Sequence, residues 1–229
     1  IFFTTFFIND KIKLKSFKEY KLILDISEYT SWLYYFRDQQ NINDKEIIKN
    51  ILNTESNVID IGSNIGYYSI FFSTIIKNGK IFSFEPEKNN YNKLIQNINL
   101  NNVNNIQVFN YALSDTNINT VLNLDYSNFG GHFINKKKSN FYKTQSIKTK
   151  KLDDVVDLNV YFDLIKIDVE GYELYVLKGM FKILKNNCKN IMIENTKNYK
   201  EISKFLNEHN FFCSFQTESN SFFAKNLNN

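Results

Sequence analysis

Five residues in this chain have types and spacings that could do chemistry: Asp60, Gly62, Gly66, Glu85 and Asp168. Gly62 and Gly66 bracket a turn directly after the short apolar run Val58, Ile59 and Ile61, the place where a buried strand presents its carboxyl end to a ligand. A dinucleotide turn would need glycines where Asn64 and Tyr67 stand, and no G-K-[ST] phosphate loop occurs. Pyrophosphate is therefore not the expected ligand. The carboxylate of Asp60 would repel phosphate and favour a cation. Glu85, at the end of the next predicted strand, is placed to accept hydrogen bonds from both hydroxyls of a ribose. A phosphate-free nucleoside carrying positive charge meets these conditions, and S-adenosylmethionine, with its ammonium and sulfonium, is such a molecule.

Methyl transfer to a hydroxyl needs a group to take the proton. Asp168 ends a predicted strand beside Gly62 and is the first candidate, followed by Glu170 and His132. Glu173 reads instead as an acidic residue in the first turn of a helix. A divalent metal is the second option, with oxygen ligands from Asp168, Glu194 and Asn195.

The elements that must position these groups alternate in type. Asp44 to Leu52 has helical apolar spacing with Asn43 or Asp44 as cap, and it delivers the chain to the Val58–Ile61 strand. Tyr67 to Lys77 is a predicted helix closed by Asn78-Gly79. Lys80 to Phe84 is a strand ending in Glu85-Pro86, Glu87 to Leu100 a helix, and Ile106 to Leu113 a third strand. Residues 116–150 form a loop insertion with two strands, Thr120 to Leu124 and Gln145 to Thr149, around Phe129-Gly130-Gly131-His132. Lys136-Lys137-Lys138 lies there as a solvated run. Leu152 to Val156 is a short helical turn, and Phe162 to Val169 a second buried strand. A helix follows with Leu174, Leu177, Phe181 and Leu184 on one face. Asn190 to Ile193 is a strand, Lys200 to Glu208 a helix, and Phe211 to Gln216 with Ser221 to Ala224 a hairpin. Residues 1–36 read as short strands, Phe2 to Ile8, Lys11 to Leu14 and Leu22 to Ile26, with an Asn9-Asp10 turn. The prediction is an α/β doubly wound sheet whose closing hairpin places one antiparallel strand at the edge.

In this order the chain resembles the FkbM-type S-adenosylmethionine-dependent methyltransferases. The resemblance rests on Val58 to Ser69, Phe84-Glu85-Pro86, Asn110 to Asp115, Lys151-Leu152-Asp153-Asp154, and Leu164-Ile165-Lys166-Ile167-Asp168-Val169-Glu170-Gly171-Tyr172-Glu173-Leu174. It covers about residues 20 to 195, and departs at Ser63, where the family usually has alanine. It implies a Rossmann-like class I methyltransferase fold with a seven-stranded, mostly parallel sheet, and O-methylation of a sugar or other natural product. The expected cofactor set is Asp60, Gly62, Asn64, Gly66 and Glu85, with Ser114 and Asp115 from the third strand.

Composition narrows the alternatives. With 229 residues, 43% apolar and 16% aromatic, the chain suits one globular domain, residues 1–45 being a β lead-in and linker and 46–229 the core. Its 28 basic residues include a single arginine, Arg37, which argues against a dedicated nucleic-acid surface. RNA 2′-O-methylation and a non-catalytic scaffold remain as the other readings. Cys188 and Cys213 lack metal-ligand spacing and suit a reducing compartment, so the expected location is the cytoplasm. No apolar run approaches the ~20 residues of a membrane span. The expected partner is a small-molecule or glycan acceptor.

Overall fold

The computed structural model describes residues 11–37, 42–124, 133–134 and 143–226. A hairpin of β1 (Ile12–Ser16) and β2 (Lys21–Asp25) leads into helices α1 (Tyr29–Phe36) and α2 (Ile42–Ile51). Next come β3 (Val58–Ile61), α3 (Tyr67–Ile75), β4 (Ile81–Phe84), α4 (Lys88–Leu100) and β5 (Ile106–Phe109). Four strands then make a side sheet: β6 (Ala112–Leu113), β7 (Asn119–Leu124), β8 (Phe133–Ile134) and β9 (Lys143–Lys150), in the order β6-β9-β7-β8. A 3-10 turn at Leu152–Asp154 precedes β10 (Phe162–Ile167), α5 (Glu173–Lys178), α6 (Phe181–Asn186) and β11 (Cys188–Glu194). Helix α7 (Tyr199–Glu208) and the hairpin β12 (Phe211–Gln216) and β13 (Asn220–Lys225) complete it.

The main sheet has seven strands in the order β12-β13-β11-β10-β3-β4-β5. From β11 to β5 all neighbours are parallel. Every residue of β3 is buried, because helices cover both faces of the sheet. Ile59 and Ile61 face one core with Val176, Leu177 and Leu184, while Val58 faces the other with Ile48, Ile70, Phe71 and Leu94. Asp60 shares the face of Val58 by strand alternation, so a carboxylate sits inside an apolar layer. All the parallel strands end at one edge of the sheet, and that edge carries the site.

The side chains of α4 anchor the lead-in hairpin. Asn97 Oδ1 accepts the Ile23 N–H at 2.7 Å, and Asn101 accepts the Lys21 N–H at 2.8 Å while its amide donates to the Lys21 carbonyl at 2.7 Å. One helical turn apart, these two amides supply β2 with the partners a neighbouring strand would otherwise give.

Several expectations need correction. Tyr29–Phe36, expected among short strands, is α1, which packs on β2 with Ser31 as its one buried residue. The predicted third strand breaks at Asn110-Tyr111: β5 stays in the main sheet, while Ala112 and Leu113 pair with Thr149 and Lys150 in the side sheet. Asn78-Gly79 does not cap α3, whose last turn closes at Ile76 in extended geometry; Gly79 is required because a Cβ there would lie 1.9 Å from the Ser56 carbonyl oxygen. Asp44 lies within α2 rather than capping it, buried against Tyr68, Thr217 and Asn220. The predicted helix through Leu174 and Leu184 is two helices, and Phe181 faces solvent. The antiparallel strand β13 sits between β11 and β12, so it is one position in from the edge. The predicted strand Phe2 to Ile8, the Asn9-Asp10 turn and the Lys136-Lys137-Lys138 run lie outside the described residues.

Candidate active site

A cavity of about 460 Å³ opens where β3, β4, β10 and β11 end, a size suited to a small-molecule ligand. At one end stands the turn after β3. Gly62, at φ +76°, must be glycine twice over: a Cβ would lie 1.8 Å from the Asp168 carbonyl oxygen. Gly66, at φ +94°, begins α3 and would drive a Cβ to 2.4 Å from Leu94 Cδ1. Asn64 between them is also left-handed, at φ 49°, a conformation asparagine tolerates. Its N–H donates to Glu85 Oε2 at 2.8 Å, and the Glu87 N–H donates to Oε1 at 2.9 Å. Glu85 is thus oriented by two backbone donors while each of its oxygens keeps lone-pair capacity on the cavity side. Burial, with the negative charges of Glu87 and Asp60, pushes its carboxyl up to about 8 against the pull of the two N–H groups.

At the other end Asp168, Glu170 and Glu194 converge, with carboxylate oxygens within 4.8 Å of one another. Glu170 sits at φ 53° and Gly171 at φ 89°, a sharp reversal that turns the chain away from β10 into α5. Burial first, then Asp168 and Glu173, raise the Glu170 carboxyl to about 7. Burial, then Asp168 and Glu170, raise Glu194 to about 8, although Lys166 acts in the opposite direction. Beneath them lies Lys166, its side chain 3% exposed, with Nζ 3.1 Å from Asp168 Oδ2 and 3.5 Å from Asp60 Oδ1. Burial pulls Lys166 down, but Asp168 and Asp60 outweigh it and hold the group above its ordinary value. Lys166 is therefore an ammonium.

Of the expected cofactor residues, Gly62, Asn64 and Glu85 line the cavity. Asp60 lies below the turn: Oδ2 accepts from Ser69 Oγ at 2.5 Å, and Oδ1 has no hydrogen-bond partner and looks toward Lys166. Burial pushes its carboxyl up while Lys166 and Ser69 pull it down. Ser114 is buried with its hydroxyl toward Asp115 and Tyr172, and at that strand end the wall is made by Tyr111, Ala112 and Leu113. The difference follows from the break between β5 and β6, which rotates the last residues out of the main sheet. Among the candidate bases, Asp168 and Glu170 line the cavity, and His132 lies outside the described residues. The proposed metal set does not assemble as expected, because Asn195 is spent on the β11–β13 junction. Its amide donates to the Thr217 and Glu218 carbonyls at 3.0 and 3.2 Å, and its Oδ1 accepts from Ser221 at 2.6 Å.

Sequence reasoning missed the wall supplied by α1, namely Tyr29, Thr30, Leu33 and Tyr34. Tyr34 stacks on Tyr67 with centroids 4.0 Å apart. Burial, then Tyr67, Asp168, Asp60 and Glu194, raise its hydroxyl well above the usual range. Residues 29–36 are rich in aromatics but carry no clean helical or strand period, and the stretch is too short to fix an element. Lys166 also belongs to the site, placed there by the register of β10 with its neighbours, and Glu194, expected only as a metal ligand, stands beside Asp168 and Glu170.

Comparison with known proteins places this geometry. A family model described as the methyltransferase FkbM domain matches residues 60–213. Methyltransferase sdnD of Sordaria araneosa is 27% identical over 180 residues, covering 63% of this chain and 68% of its own length. Hexuronic acid methyltransferase AglP of Haloferax volcanii is 28% identical over 152 residues, covering 65% of this chain and 60% of its own length. This chain thus spans about two thirds of one relative and less of the other. Among solved structures, an rRNA methylase from Streptococcus thermophilus superposes with a TM-score of 0.53 at 13% identity, covering 82% of this chain and 96% of that one. The TYW2 protein of M. jannaschii in complex with AdoMet gives 0.52 at 13% identity, covering 96% and 89%. At such identities the likeness is one of fold.

Proposed function

This chain belongs to the FkbM methyltransferase family, and we propose that it transfers a methyl group from S-adenosylmethionine to a hydroxyl of a sugar, glycan or similar small natural product. One observation carries the reading. Glu85 and Asp168, from separate strand ends, open on the same cavity, whose single lining lysine or arginine among the described residues, Lys166, is already bound between two carboxylates. A phosphate-bearing cofactor would find no further lysine or arginine among the described lining residues, whereas a nucleoside with ribose hydroxyls and positive charge suits Glu85 and the acidic surroundings.

When bound, the cofactor supplies a methyl group on sulfonium, and the electrons of the broken carbon–sulfur bond stay on sulfur as the new oxygen–carbon bond forms. The chain's own residues orient and take up a proton. Glu85 holds the ribose end, fixed by the N–H groups of Asn64 and Glu87. Asp168 receives the acceptor's proton, and Glu170 and Glu194 beside it, raised to about 7 and about 8, can share it near neutral pH. Much of the rate would come from holding acceptor and donor in line, an effect of roughly 7–11 kcal/mol.

We read the whole chain as one methyltransferase domain acting on a small-molecule or glycan acceptor. The name of the Haloferax volcanii relative supports a sugar acceptor. No helix among the described residues is long and apolar enough to cross a membrane. The expectation of a cytoplasmic site of action rests on the two cysteines, which are free thiols. The test is a parallel thermal-shift series with S-adenosylhomocysteine, NAD and a nucleotide sugar. It is followed by incubation with radiolabelled S-adenosylmethionine and the methyl glycosides of glucose, glucosamine and glucuronic acid. Stabilisation by the homocysteine product of about 2.7 kcal/mol at 100-fold its Kd is expected. A shift with NAD alone would overturn the cofactor, and label in none of the glycosides would overturn the acceptor class.

A further inference from the structure

We propose that Lys166 is a positioning residue for methyl transfer, anchored by Asp60 below the cavity and holding Asp168 so that its second oxygen meets the acceptor hydroxyl. The inference rests on the reading above and assigns a part to a side chain that is almost wholly buried at the cavity floor.

Parallel pairing sets Lys166 directly beside Asp60 on β3 and Met192 on β11. Residues two apart on a strand share a face, so Asp168 follows Lys166 on the same side as the chain leaves β10. The arrangement Asp60, Lys166, Asp168 is therefore dictated by register and spacing. An ammonium buried this deeply must be compensated by charge. Asp60 lies at 3.5 Å and the Tyr68 ring, 5.1 Å from Nζ, closes another side. Ser69 holds the far oxygen of Asp60 and contacts Ser83 at 2.8 Å, so the anchor is itself fixed in the core.

Compensation by Asp60 alone would complete a structural ion pair. Lys166 instead makes its shorter contact, 3.1 Å, to the carboxylate that lines the cavity. The contact holds Oδ2 of Asp168 from below, while Glu194 is the side-chain partner of the carboxylate at the cavity. Asp168 ends the strand with its side chain 34% exposed, and apart from Glu194 its side-chain hydrogen bond is the one to Lys166. In the reaction the acceptor O–H bond breaks and its proton passes to Asp168, which carries it out through the adjoining carboxyls. Lys166 keeps its own protons throughout.

The experiment compares Lys166→Met, Asp60→Asn and the double variant. The single Lys166 change strands the Asp60 charge in the core, so a loss of folding there would be uninformative alone. The double variant removes both buried charges and restores a cooperative melt. In it, kcat on whichever panel glycoside the wild type methylates should fall at least about 100-fold, while S-adenosylhomocysteine affinity and acceptor KM stay within about threefold. A double variant that keeps kcat within about threefold would show that Lys166 serves only the Asp60 charge, and would overturn the proposal. Loss of S-adenosylhomocysteine binding in step with kcat would overturn it too, by placing the effect on the cofactor turn. Failure of the wild type to bind S-adenosylhomocysteine at all would instead remove the reading on which the proposal stands.

Discussion

The two ends of the cavity are built on opposite principles. The Glu85 end is made by backbone: left-handed residues at Gly62, Asn64 and Gly66, two N–H donors, and one carboxylate held in place by them. The Asp168 end is made by side chains from distant parts of the chain, with β10, β11 and α1 contributing Asp168, Glu194 and Tyr34. Backbone turns fix a shape and suit a ligand common to many proteins. Assembled side chains fix charge and suit what differs between them. Both ends nevertheless touch at one point, where the Asp168 carbonyl lies against Gly62.

That point of contact should be the most sensitive. Gly62→Ala forces a methyl group to 1.8 Å from a backbone oxygen and demands a left-handed alanine. It should cost at least about 3 kcal/mol in a urea titration and damage both ends together. Next, Asp168→Asn should lower methyl transfer by about 10²–10⁴-fold while the S-adenosylhomocysteine thermal shift persists. Glu85→Gln should do the reverse, weakening that shift by about tenfold in affinity with the fold intact. If either variant lost both properties, the division between the ends would be wrong.

A pH series sharpens the comparison further. Glu85 and Glu194 both rise from 4.5 to about 8 on folding. A carboxyl raised in the folded state binds its proton more tightly there than in the unfolded chain. Its contribution is fully present below pH 4.5 and is lost as pH rises through about 8. The melting temperature of the ligand-free protein should therefore decline across that window. Glu85→Gln and Glu194→Gln should each flatten the decline, and by similar amounts, since the two carboxyls are raised alike. The smallest effect belongs to Tyr34→Phe. The ring stack on Tyr67 survives, so stability should change by less than about 1 kcal/mol and acceptor KM by about threefold or less.

Much of this was legible before any coordinates. The apolar run Val58, Ile59 and Ile61, its glycine turn and the Glu85-Pro86 boundary announce themselves locally, since turn chemistry and strand hydrophobicity act over a few residues. Helix α1 was not, because eight residues of mixed aromatic and polar character satisfy helix and strand patterns alike. Asp60 shows the same limit in a different form. Its type and place in the motif suggested a ligand contact, but strand alternation turns it into the layer under the turn, where its neighbour is Lys166, more than a hundred residues later in the chain.

By itself, then, the amino-acid order determined the parallel α/β architecture, the family, the phosphate-free turn and the position of Asp168 at a strand end, all of which depend on contacts between near neighbours. Tertiary structure alone decided that β10 lies beside β3 in the register that sets Lys166 against Asp60, that Tyr34 joins Asp168 and Glu194, and that Ser114 turns away. The physical reason is range. Strand pairing and burial bring together residues whose separation in sequence carries no trace of their contact, and the charges at the Asp168 end are set by that burial.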